Sequence, residues 1–440
     1  MIINNAHIVT LWREKPIVPE ALMVIDDKTI LDFGRVGKLA DRYHDNEVLE
    51  ANGRVVIPGT INLHSHLYRN FVKGMPFDGA RPQSFREWNE QVWWRLDKAM
   101  TLEDVHLAAM VGLMDSVRAG VTTVVDLHSS PRSITGSLEA IWNAFDRVGM
   151  RGALSYAVSD RLGSDAAQQG LDESANFFKT LAPRSADIRG FMGLEASNLV
   201  SDETIASVVA RAKELQAPIH MPIAEDRLEM DEIRHVHKKS PVMRLSELGA
   251  LAEGTLLAHG SLLAAEDAEL LNSRGVRVAH CPTTTMSRAL SSADIRPMVR
   301  AGLGIGMGTD GLNPSLLQEF HTGAQRERIQ GSDFKDALRL AFRMAFMENA
   351  RWASHFFEKP LGVIKPGARA DLVVLDYWPS TPLRESNLPE HFFWGMPRAS
   401  VHSVIVNGRL IFHQGQFVHI DEPALRARAR EATRQIWKRT

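Results

Sequence analysis

The sequence predicts an α/β protein in which a distorted (β/α)8 TIM barrel carries a small β-sandwich domain built from both termini. Between about residues 55 and 310, eight apolar, strand-like runs alternate with segments of helical period, and eight parallel strands are the number that closes such a barrel. Short strand-like runs lie outside this alternation at both ends of the chain. The 440 residues exceed one ordinary domain and suffice for a large barrel with an appendage.

The barrel strands are predicted where β-branched and apolar residues follow a turn or a helix. One helix carries the expected signals: Thr101 is its N-cap, Asp104 lies in its first turn, and Gly120 ends it directly before the second strand. The eight predicted strands are 55–63, 121–127, 152–158, 188–195, 217–223, 255–259, 276–280 and 304–308.

The two ends of the chain are expected to share one β-domain, because neither set of strands alone would bury both faces of a sheet. We therefore predict a composite domain of residues 1–57 and 361–440, with the barrel in 58–360. Asn407-Gly408 between two β-rich runs is a hairpin signal. The predicted strands of this domain are 1–10, 21–26, 30–36, 370–376, 401–406 and 410–412.

The composition favours a small-molecule partner. Lys and Arg total 51 against 53 for Asp and Glu, so no global field attracts nucleic acid or an anionic membrane. The Arg-rich amphipathic segment 423–438 is accordingly expected to pack on the body of the protein. We expect a small-molecule substrate, no nucleic-acid partner, no membrane partner and a homo-oligomeric assembly.

The expected location is the cytoplasm. The chain starts without a basic segment followed by an apolar one, and it contains no run of 18 apolar residues. Cys281 is the only cysteine, which excludes an intrachain disulfide and a thiolate-rich metal site and fits a reducing compartment.

The segment VVIPGTINLHSHLY at 55–68 places two histidines at the end of a predicted strand. Because residues i and i+2 of a strand point to the same side, His64 and His66 can present two imidazoles to one metal ion. Spacing alone is weak support, since a second pair, His235 and His237, lies among charges before a proline. That pair is better interpreted as a solvated loop or helix end.

Further polar residues lie at or just beyond the carboxyl ends of the predicted strands, where barrel enzymes place their working groups. Any one of these histidines alone would more often be a structural residue. Several strand ends converging on one mouth instead indicate metal binding and proton transfer. The residues are His64, His66, His128, Glu195, Glu225, His259, His280 and Asp310.

The chain resembles the metal-dependent amidohydrolase superfamily, in its cytosine deaminase and chlorohydrolase-like branch, and within that branch the SsnA-type aminohydrolases. The matching segments run almost from end to end and indicate the fold more narrowly than the substrate. They are PGTINLHSH at 58–66, WWRLDKAM at 93–100, AGVTTVVDLHSSP at 119–131, AED at 224–226, LLAHG at 256–260, MGTDG at 307–311, IKPGARADLVVLD at 364–376 and VHSVIVNG at 401–408.

The resemblance implies roles for these residues. His64, His66 and Asp310 would hold one divalent ion, Zn²⁺ or Fe²⁺, which activates a water. Glu225 would act as general base and then general acid, and His259 would bind the hydroxide or the developing oxyanion with the help of Asp310. Substrate binding is assigned to His128, His220 and His280.

The implied reaction is hydrolysis of a C–N or C–Cl bond in a small N-heterocyclic or amide-like substrate, with deamination favoured. Glu225 lies in the acidic run 224–232, so the residues alone leave a surface carboxylate open as its alternative role.

Three features depart from the family pattern, at four positions. Pro222 stands where the family has a metal-binding histidine, three residues before Glu225, and Glu195 replaces a substrate-binding histidine. Thr284 and Thr285 replace a Ser-Asn pair. Since proline cannot bind a metal, we expect Glu195, or else the more deeply placed His220, to supply the missing ligand. Whether the ion is bound at all stays open at this point.

Two alternatives to a metal-dependent hydrolase follow from these departures. One is a metal-free relative that uses Glu195, Glu225, His259 and Asp310 for other acid and base chemistry. The other is a non-catalytic ligand-binding or scaffold protein. Aromatic residues beyond the first strand could stack on a flat heterocycle or instead pack a lid or dimer contact. They are Phe71, Phe77, Phe85, Trp88, Trp93 and Trp94.

Overall fold

The structure is a computed structural model that describes residues 1–35, 47–76, 82–181, 185–290 and 294–440. Val36, the last residue of one predicted strand, and Phe77, one of the predicted stacking residues, lie outside the described residues. In chain order the strands are β1 (Ile2–Val9), β2 (Ile17–Asp26), β3 (Thr29–Arg35), β4 (Val48–Glu50), β5 (Val55–Pro58), β6 (Thr60–Ser65), β7 (Val121–His128), β8 (Arg151–Tyr156), β9 (Ile188–Gly190), β10 (Met192–Gly193), β11 (Ile219–Ile223), β12 (Leu256–His259), β13 (Arg277–His280), β14 (Gly304–Met307), β15 (Leu372–Leu375), β16 (Val401–Val406), β17 (Arg409–His413) and β18 (Gln416–Phe417).

The central strands form two parallel sheets with the orders β6-β7-β8-β9 and β10-β11-β12-β13-β14. A parallel bridge between Val158 and Leu194 joins the sheets at one seam. At the other seam the backbone N–H groups of Thr309 and Asp310 both donate to the carbonyl of His64, at 2.9 and 3.0 Å. The predicted distorted α/β barrel is confirmed, and its second seam lies at the predicted site.

The helices wind around this barrel, as expected for βα units. Thr101 and Asp104 form a capping box at the start of helix Leu102–Arg118, as predicted. The α-helices are Phe85–Trp88, Trp94–Ala99, Leu102–Arg118, Ser137–Val148, Ser164–Leu181, Asp202–Leu215, Arg227–His237, Pro241–Glu247, Ala265–Ser273, Pro282–Ser287, Arg296–Arg300, Leu316–Ile329, Phe334–Phe342, Asn349–Phe356, Leu388–Glu390 and Glu422–Arg439. The 3₁₀ turns are Leu67–Val72, Ser197–Leu199, Glu385–Asn387 and Met396–Arg398, and the π-helical turns are Asn89–Trp93, Arg343–Glu348 and His391–Gly395.

Both termini contribute to one β-domain, as predicted. Its sheet has the order β18-β17-β16-β15-β5-β1-β2-β3, and β4 pairs with β1. The two halves meet where β15 pairs antiparallel with β5 and β1 pairs parallel with β5. The exact domain bounds, 1–57 with 361–440 around 58–360, stay a prediction.

The predicted strand 55–63 is wrong as a single strand. It comprises β5, which belongs to the β-domain, and β6, which is the first barrel strand, and Gly59 lies between them. A Cβ atom at Gly59 would lie 2.3 Å from Thr122 Oγ1, so only glycine permits this close approach. Burial along the run is continuous in both sheets, but the Pro58-Gly59 pair is a turn signal, and the predicted domain boundary at 57/58 lies one residue from the end of β5.

The terminal helix Glu422–Arg439 packs on the barrel, as expected for a solvated amphipathic segment. Arg439 and Arg426 form ion pairs with Asp104 and Asp115 of helix Leu102–Arg118, at 2.6 and 3.1 Å. A search of the described residues finds no helix that is both long enough and apolar enough to span a bilayer.

Candidate active site

The carboxyl ends of four barrel strands bring the predicted residues together. His64 lies in β6 and His66 directly follows it, while His259 ends β12. Glu225 lies two residues beyond β11 and Asp310 three residues beyond β14. All five are buried. We refer to His64, His66, His259 and Asp310 as the ligand cluster.

Asp310 is the centre of the ligand cluster. Its Oδ1 lies 3.3 Å from His66 Nε2, 3.6 Å from His64 Nε2 and 3.7 Å from His259 Nε2. His259 and Asp310 both have left-handed backbone conformations, with φ of 66° and 58°. Such conformations are costly for residues other than glycine and mark positions where the fold holds a side chain in a required direction.

The hydrogen bonds of the Nδ1 atoms define which ring nitrogen carries the hydrogen in His64 and in His66. His66 Nδ1 lies 2.6 Å from the carbonyl of Leu127, so it carries the hydrogen and leaves Nε2 with a free lone pair. His220 Nδ1 lies 2.8 Å from the carbonyl of Leu256, which leaves His220 Nε2 as the acceptor for His64 Nδ1 at 3.0 Å. The Nε2 lone pair of His64 therefore also faces Asp310.

This arrangement fits a metal ion. His64 Nε2 is buried and has no hydrogen-bond partner among the described residues, whereas buried polar atoms ordinarily have one. Two nitrogen lone pairs that face a carboxylate oxygen repel it unless a cation lies between them. Two imidazoles and a carboxylate are a suitable donor set for a hydrolytic divalent ion with an open position.

The imidazoles of the cluster are neutral at physiological pH. Burial lowers the pKa of His64 and of His259 to about 4, and it lowers the pKa of His66 well below its ordinary value. Neutral imidazole is the form that binds a metal. An ion could therefore enter at neutral pH without displacing protons from these rings.

Glu225 is poised for proton transfer. Burial raises its pKa to about 7, against the opposing effect of the Arg288 guanidinium. Its Oε1 accepts a hydrogen bond from Arg288 at 2.8 Å, and its Oε2 lies 3.6 Å from His259 Nε2. A carboxyl with a pKa near neutrality populates both its acid and its base form at physiological pH.

Two arginines that the sequence analysis did not identify also contact the cluster. Arg69 donates to Asp310 Oδ1 at 2.6 Å, and Arg288 donates to Asp310 Oδ2 at 2.9 Å. Although burial alone would raise it, these guanidiniums hold the pKa of Asp310 well below its ordinary value. Arg69 could have been found, because it lies three residues after His66 on a 3₁₀ turn, where residues i and i+3 align.

Glu195 does not join the ligand cluster. Its carboxylate accepts a hydrogen bond from Arg161 Nε at 2.8 Å, and Arg161 also binds Asp97 at 2.7 Å. Among the described residues, the groups close enough to share one ion are His64, His66 and Asp310, and Glu225, His259 and Asp310. The expectation that Glu195 replaces the missing ligand finds no support here, because a guanidinium already holds its carboxylate.

The three histidines assigned to substrate binding lie behind the cavity and not in its wall. His220 supports His64, as described above. His128 Nε2 is bonded to Ser130 Oγ at 2.9 Å, and His280 Nδ1 lies 3.3 Å from the carbonyl of His259. Their assignment stays a prediction that this geometry does not favour. His235 and His237 lie in the last turn of helix Arg227–His237, as expected for a solvated helix end.

A cavity opens next to the cluster, lined by His66, Arg69 and Glu225 among others. One side is aromatic and includes three of the predicted stacking residues, Phe85, Trp93 and Trp94. Beside the cavity lies a set of residues that we call the polar wall: Asp97, Ser129, Arg161 and Glu195, joined by hydrogen bonds of 2.7 to 2.9 Å. Of these, Ser129 and Glu195 line the cavity. Within the wall, Asp97 Oδ1 and Arg161 Nη1 are buried without a partner among the described residues.

Two of the remaining predicted residues have structural contacts. Trp88 stacks on Trp93 with ring centroids 6.4 Å apart, and Phe71 is buried in the hydrophobic core. Thr284, one of the two threonines that depart from the family pattern, donates to Asp310 Oδ2 at 3.2 Å. Thr285 lies 3.1 Å from Ser261 Oγ.

Comparison with known sequences identifies a family. The sequence profile of the Amidohydrolase family matches residues 55–411. The chain is 26% identical to a 5-methylthioadenosine/S-adenosylhomocysteine deaminase of Pelotomaculum thermopropionicum over 449 aligned positions, which cover 100% of this chain and 99% of that protein. It is 25% identical to a 5'-deoxyadenosine deaminase of Methanosarcina mazei, over 99% of this chain and 98% of that protein.

Solved structures share the fold over the same extent. An adenosine deaminase from Xanthomonas campestris with bound zinc superposes with a TM-score of 0.88 at 20% identity, covering 99% of this chain and 98% of that one. The atrazine chlorohydrolase TrzN from Arthrobacter aurescens, in complex with zinc, superposes with a TM-score of 0.82 at 21% identity, covering 98% and 99%.

Proposed function

This chain belongs to the amidohydrolase family and is a hydrolase of carbon–nitrogen bonds, and we propose that it is a metal-dependent aminohydrolase of flat, amino-substituted N-heterocycles. The observation that carries the proposal is that the Nε2 lone pairs of His64 and His66 both point at the Asp310 carboxylate. Beside them lies Glu225, whose pKa is raised to about 7.

His64, His66 and Asp310 would hold the ion, and Zn²⁺ or Fe²⁺ suits two imidazoles and one carboxylate. When bound, such an ion lowers the pKa of a water enough to make hydroxide available near pH 7. The buried His64 Nε2, which has no hydrogen-bond partner among the described residues, argues against the metal-free alternative, since buried polar atoms ordinarily have a partner.

Glu225 supplies the proton transfers. As a carboxylate it accepts a proton from the attacking water, whose oxygen then forms the new bond to the ring carbon. As a carboxylic acid it returns that proton to the amino nitrogen, so the carbon–nitrogen bond breaks and ammonia leaves. The pKa of about 7 for Glu225 makes both states accessible.

His259 orients the oxygen that attacks. Its Nε2 lies 3.6 Å from Glu225 Oε2 and 3.7 Å from Asp310 Oδ1. A ring nitrogen between two carboxylates carries its hydrogen, so His259 offers a donor at the point where negative charge develops on oxygen.

The cavity supports a planar substrate. Phe85, Trp93 and Trp94 present ring faces and edges, on which a heterocycle can stack. The curated relatives named above deaminate adenine nucleosides and related thioethers, so an aminopurine is the first class to test. We further propose a cytoplasmic location, which the single buried thiol of Cys281 supports; the homo-oligomer stays a prediction.

The test is ammonia release from a panel of amino heterocycles. Purified protein, its chelator-treated form and the form reloaded with Zn²⁺ or Fe²⁺ are assayed with adenosine, 5'-deoxyadenosine, 5'-methylthioadenosine, guanine and cytosine. We expect ammonia from at least one compound, loss of activity on chelation and recovery on reloading. Full activity in protein with no measurable metal would contradict the metal dependence. Release of chloride from a chloro-heterocycle, without release of ammonia from its amino counterpart, would contradict the deamination.

A further inference from the structure

We propose that Arg69 is an internal cation that competes with the metal ion for Asp310 Oδ1 and so weakens metal binding. The inference depends on the proposed metal-dependent function, but it concerns a residue that no step of that mechanism uses. It predicts a site that gains affinity when a positively charged side chain is removed.

The competition follows from the position of one guanidinium nitrogen. Arg69 Nη1 lies 2.6 Å from Asp310 Oδ1, the same oxygen that faces the lone pairs of His64 and His66 at 3.6 and 3.3 Å. An ion bound by those three groups would share this oxygen with a positive charge. Two cations at such a separation repel strongly in a buried site, so the metal ion and the Arg69 bond oppose each other.

The charges around Asp310 are already balanced in the absence of an ion. Arg69 and Arg288 carry two positive charges, and Asp310 and Glu225 carry at most two negative ones, in a set joined by contacts of 2.6 to 2.9 Å. The histidines of the cluster are neutral. Adding a divalent ion therefore leaves an excess of two positive charges unless one guanidinium moves away.

Arg69 is the guanidinium that can move. Arg288 bridges two carboxylates, since its Nη1 binds Glu225 and its Nη2 binds Asp310. Arg69 holds only one of these carboxylates, and its Nε has no partner among the described residues. Its guanidinium lies over the Trp93 ring, 4.8 Å from the centroid, and it lines the open cavity, into which it can swing.

The rest of the site does not compensate for this competition. Pro222 occupies the position next to the cluster and offers no ligand atom, while Glu195 is held by Arg161. The ion would thus depend on three protein groups, one of which Arg69 also claims. We expect loading to be weak in the wild type and to be accompanied by displacement of Arg69.

Measurement of the Zn²⁺ dissociation constant tests the inference without any assay of activity. The constant is obtained by competition with a chromophoric zinc chelator for the wild type, Arg69→Met, Arg69→Gln and Arg288→Met. Circular dichroism and thermal unfolding establish that each variant is folded, and two Arg69 variants are used so that one may serve if the other does not fold. Arg288→Met is the matched control, because it removes the same charge from the other oxygen of Asp310.

The expected result is an affinity for Zn²⁺ about 10- to 100-fold higher in the Arg69 variants, the range over which outer neighbours change metal affinity. The gain in Arg288→Met should be clearly smaller. Equal gains in both arginine variants would mean a general charge effect and would overturn the competition, as would a zinc-bound wild-type crystal structure in which Arg69 still binds Oδ1.

Failure of this inference is distinguishable from failure of the proposed function. If the wild type and the Arg69 variants bind Zn²⁺ with the same measurable affinity, Arg69 does not compete, but the metal-dependent function stands. If neither the wild type nor any variant binds Zn²⁺ or Fe²⁺, both proposals are overturned.

Discussion

The ligand cluster and the polar wall both border one cavity and are built in different ways. Side chains of the cluster come from strand ends or from positions just beyond them. The Leu127 carbonyl orients His66 directly, and the Leu256 carbonyl orients His220, which in turn accepts from His64. The polar wall takes Asp97, Arg161 and Glu195 from a helix and from loops, and ion pairs between side chains hold it together. The position of the cluster therefore depends on the barrel strands, whereas the polar wall depends on loop residues, which are more easily changed by substitution.

The largest expected effect is a loss of kcat, and it separates proton transfer by Glu225 from metal binding by His64, His66 and Asp310. Glu225→Gln keeps the shape but removes the titrating oxygen, and we expect kcat to fall by about 10²- to 10⁴-fold, the usual contribution of a general acid or base. The metal content should not change, because Glu225 is outside the proposed ligand set. Steady-state kinetics and elemental analysis of the same preparation provide the check.

Glu229→Gln is the matched control for that variant. Glu229 is also buried with a pKa raised to about 7, and its Oε2 accepts from the Glu225 backbone N–H at 3.1 Å. It makes no contact with the cluster among the interactions above, so kcat should change little. A loss as large as that in Glu225→Gln would show that the acidic segment acts as a unit and that Glu225 has no special role.

The next effect is the dependence of activity on pH. The pKa of Glu225 is raised by burial to about 7, and the reaction begins with its deprotonated form. Activity should therefore fall as the pH drops below 7, approaching tenfold per unit. Arg288 lowers this pKa, so Arg288→Met should move the acidic limb to higher pH. A pH profile of kcat/KM for the two proteins, each with its metal content measured, tests the sign of the shift.

A third experiment asks whether metal binding at the ligand cluster is independent of the polar wall. His220→Ala removes the acceptor for His64 Nδ1 and frees the ring to turn, and loss of such an orienting partner typically costs 10- to 100-fold in metal affinity. Glu195→Ala should leave metal affinity unchanged and affect substrate binding only, because Arg161 holds that carboxylate. A loss of metal in Glu195→Ala would erase the distinction between the ligand cluster and the polar wall and restore Glu195 as a ligand.

The same distinction explains what the sequence could predict. The strand ends that a barrel brings to one mouth predicted a set that includes His64, His66, His259 and Asp310. The same rule also selected His128, His280 and Glu195, so the family resemblance was needed to single out the proposed metal-binding residues. The partner of Glu195 could not be found in this way, because Arg161 lies 34 residues away in the chain on a loop whose course no periodicity indicates. Gly59 shows a second limit: the Pro58-Gly59 pair indicates a turn, but burial on both sides of it did not tell which sheet each half joins.

The smallest expected effect concerns the aromatic side of the cavity. Trp93→Leu keeps an apolar side chain but removes a ring face, and aromatic stacking contributes about 0.5–1.5 kcal/mol beyond buried area, which corresponds to a rise of about 2- to 13-fold in KM. The Arg69 guanidinium lies over this ring, so the Zn²⁺ affinity must be measured in the same variant.

Trp94→Leu is the control, because its ring lies under Arg161 of the polar wall, at 4.7 Å. If Trp93→Leu changes metal affinity and Trp94→Leu does not, then Trp93 acts on the ligand cluster through the guanidiniums that lie over its ring, Arg69 at 4.8 Å and Arg288 at 5.5 Å. Equal effects on KM alone would assign both rings to substrate binding.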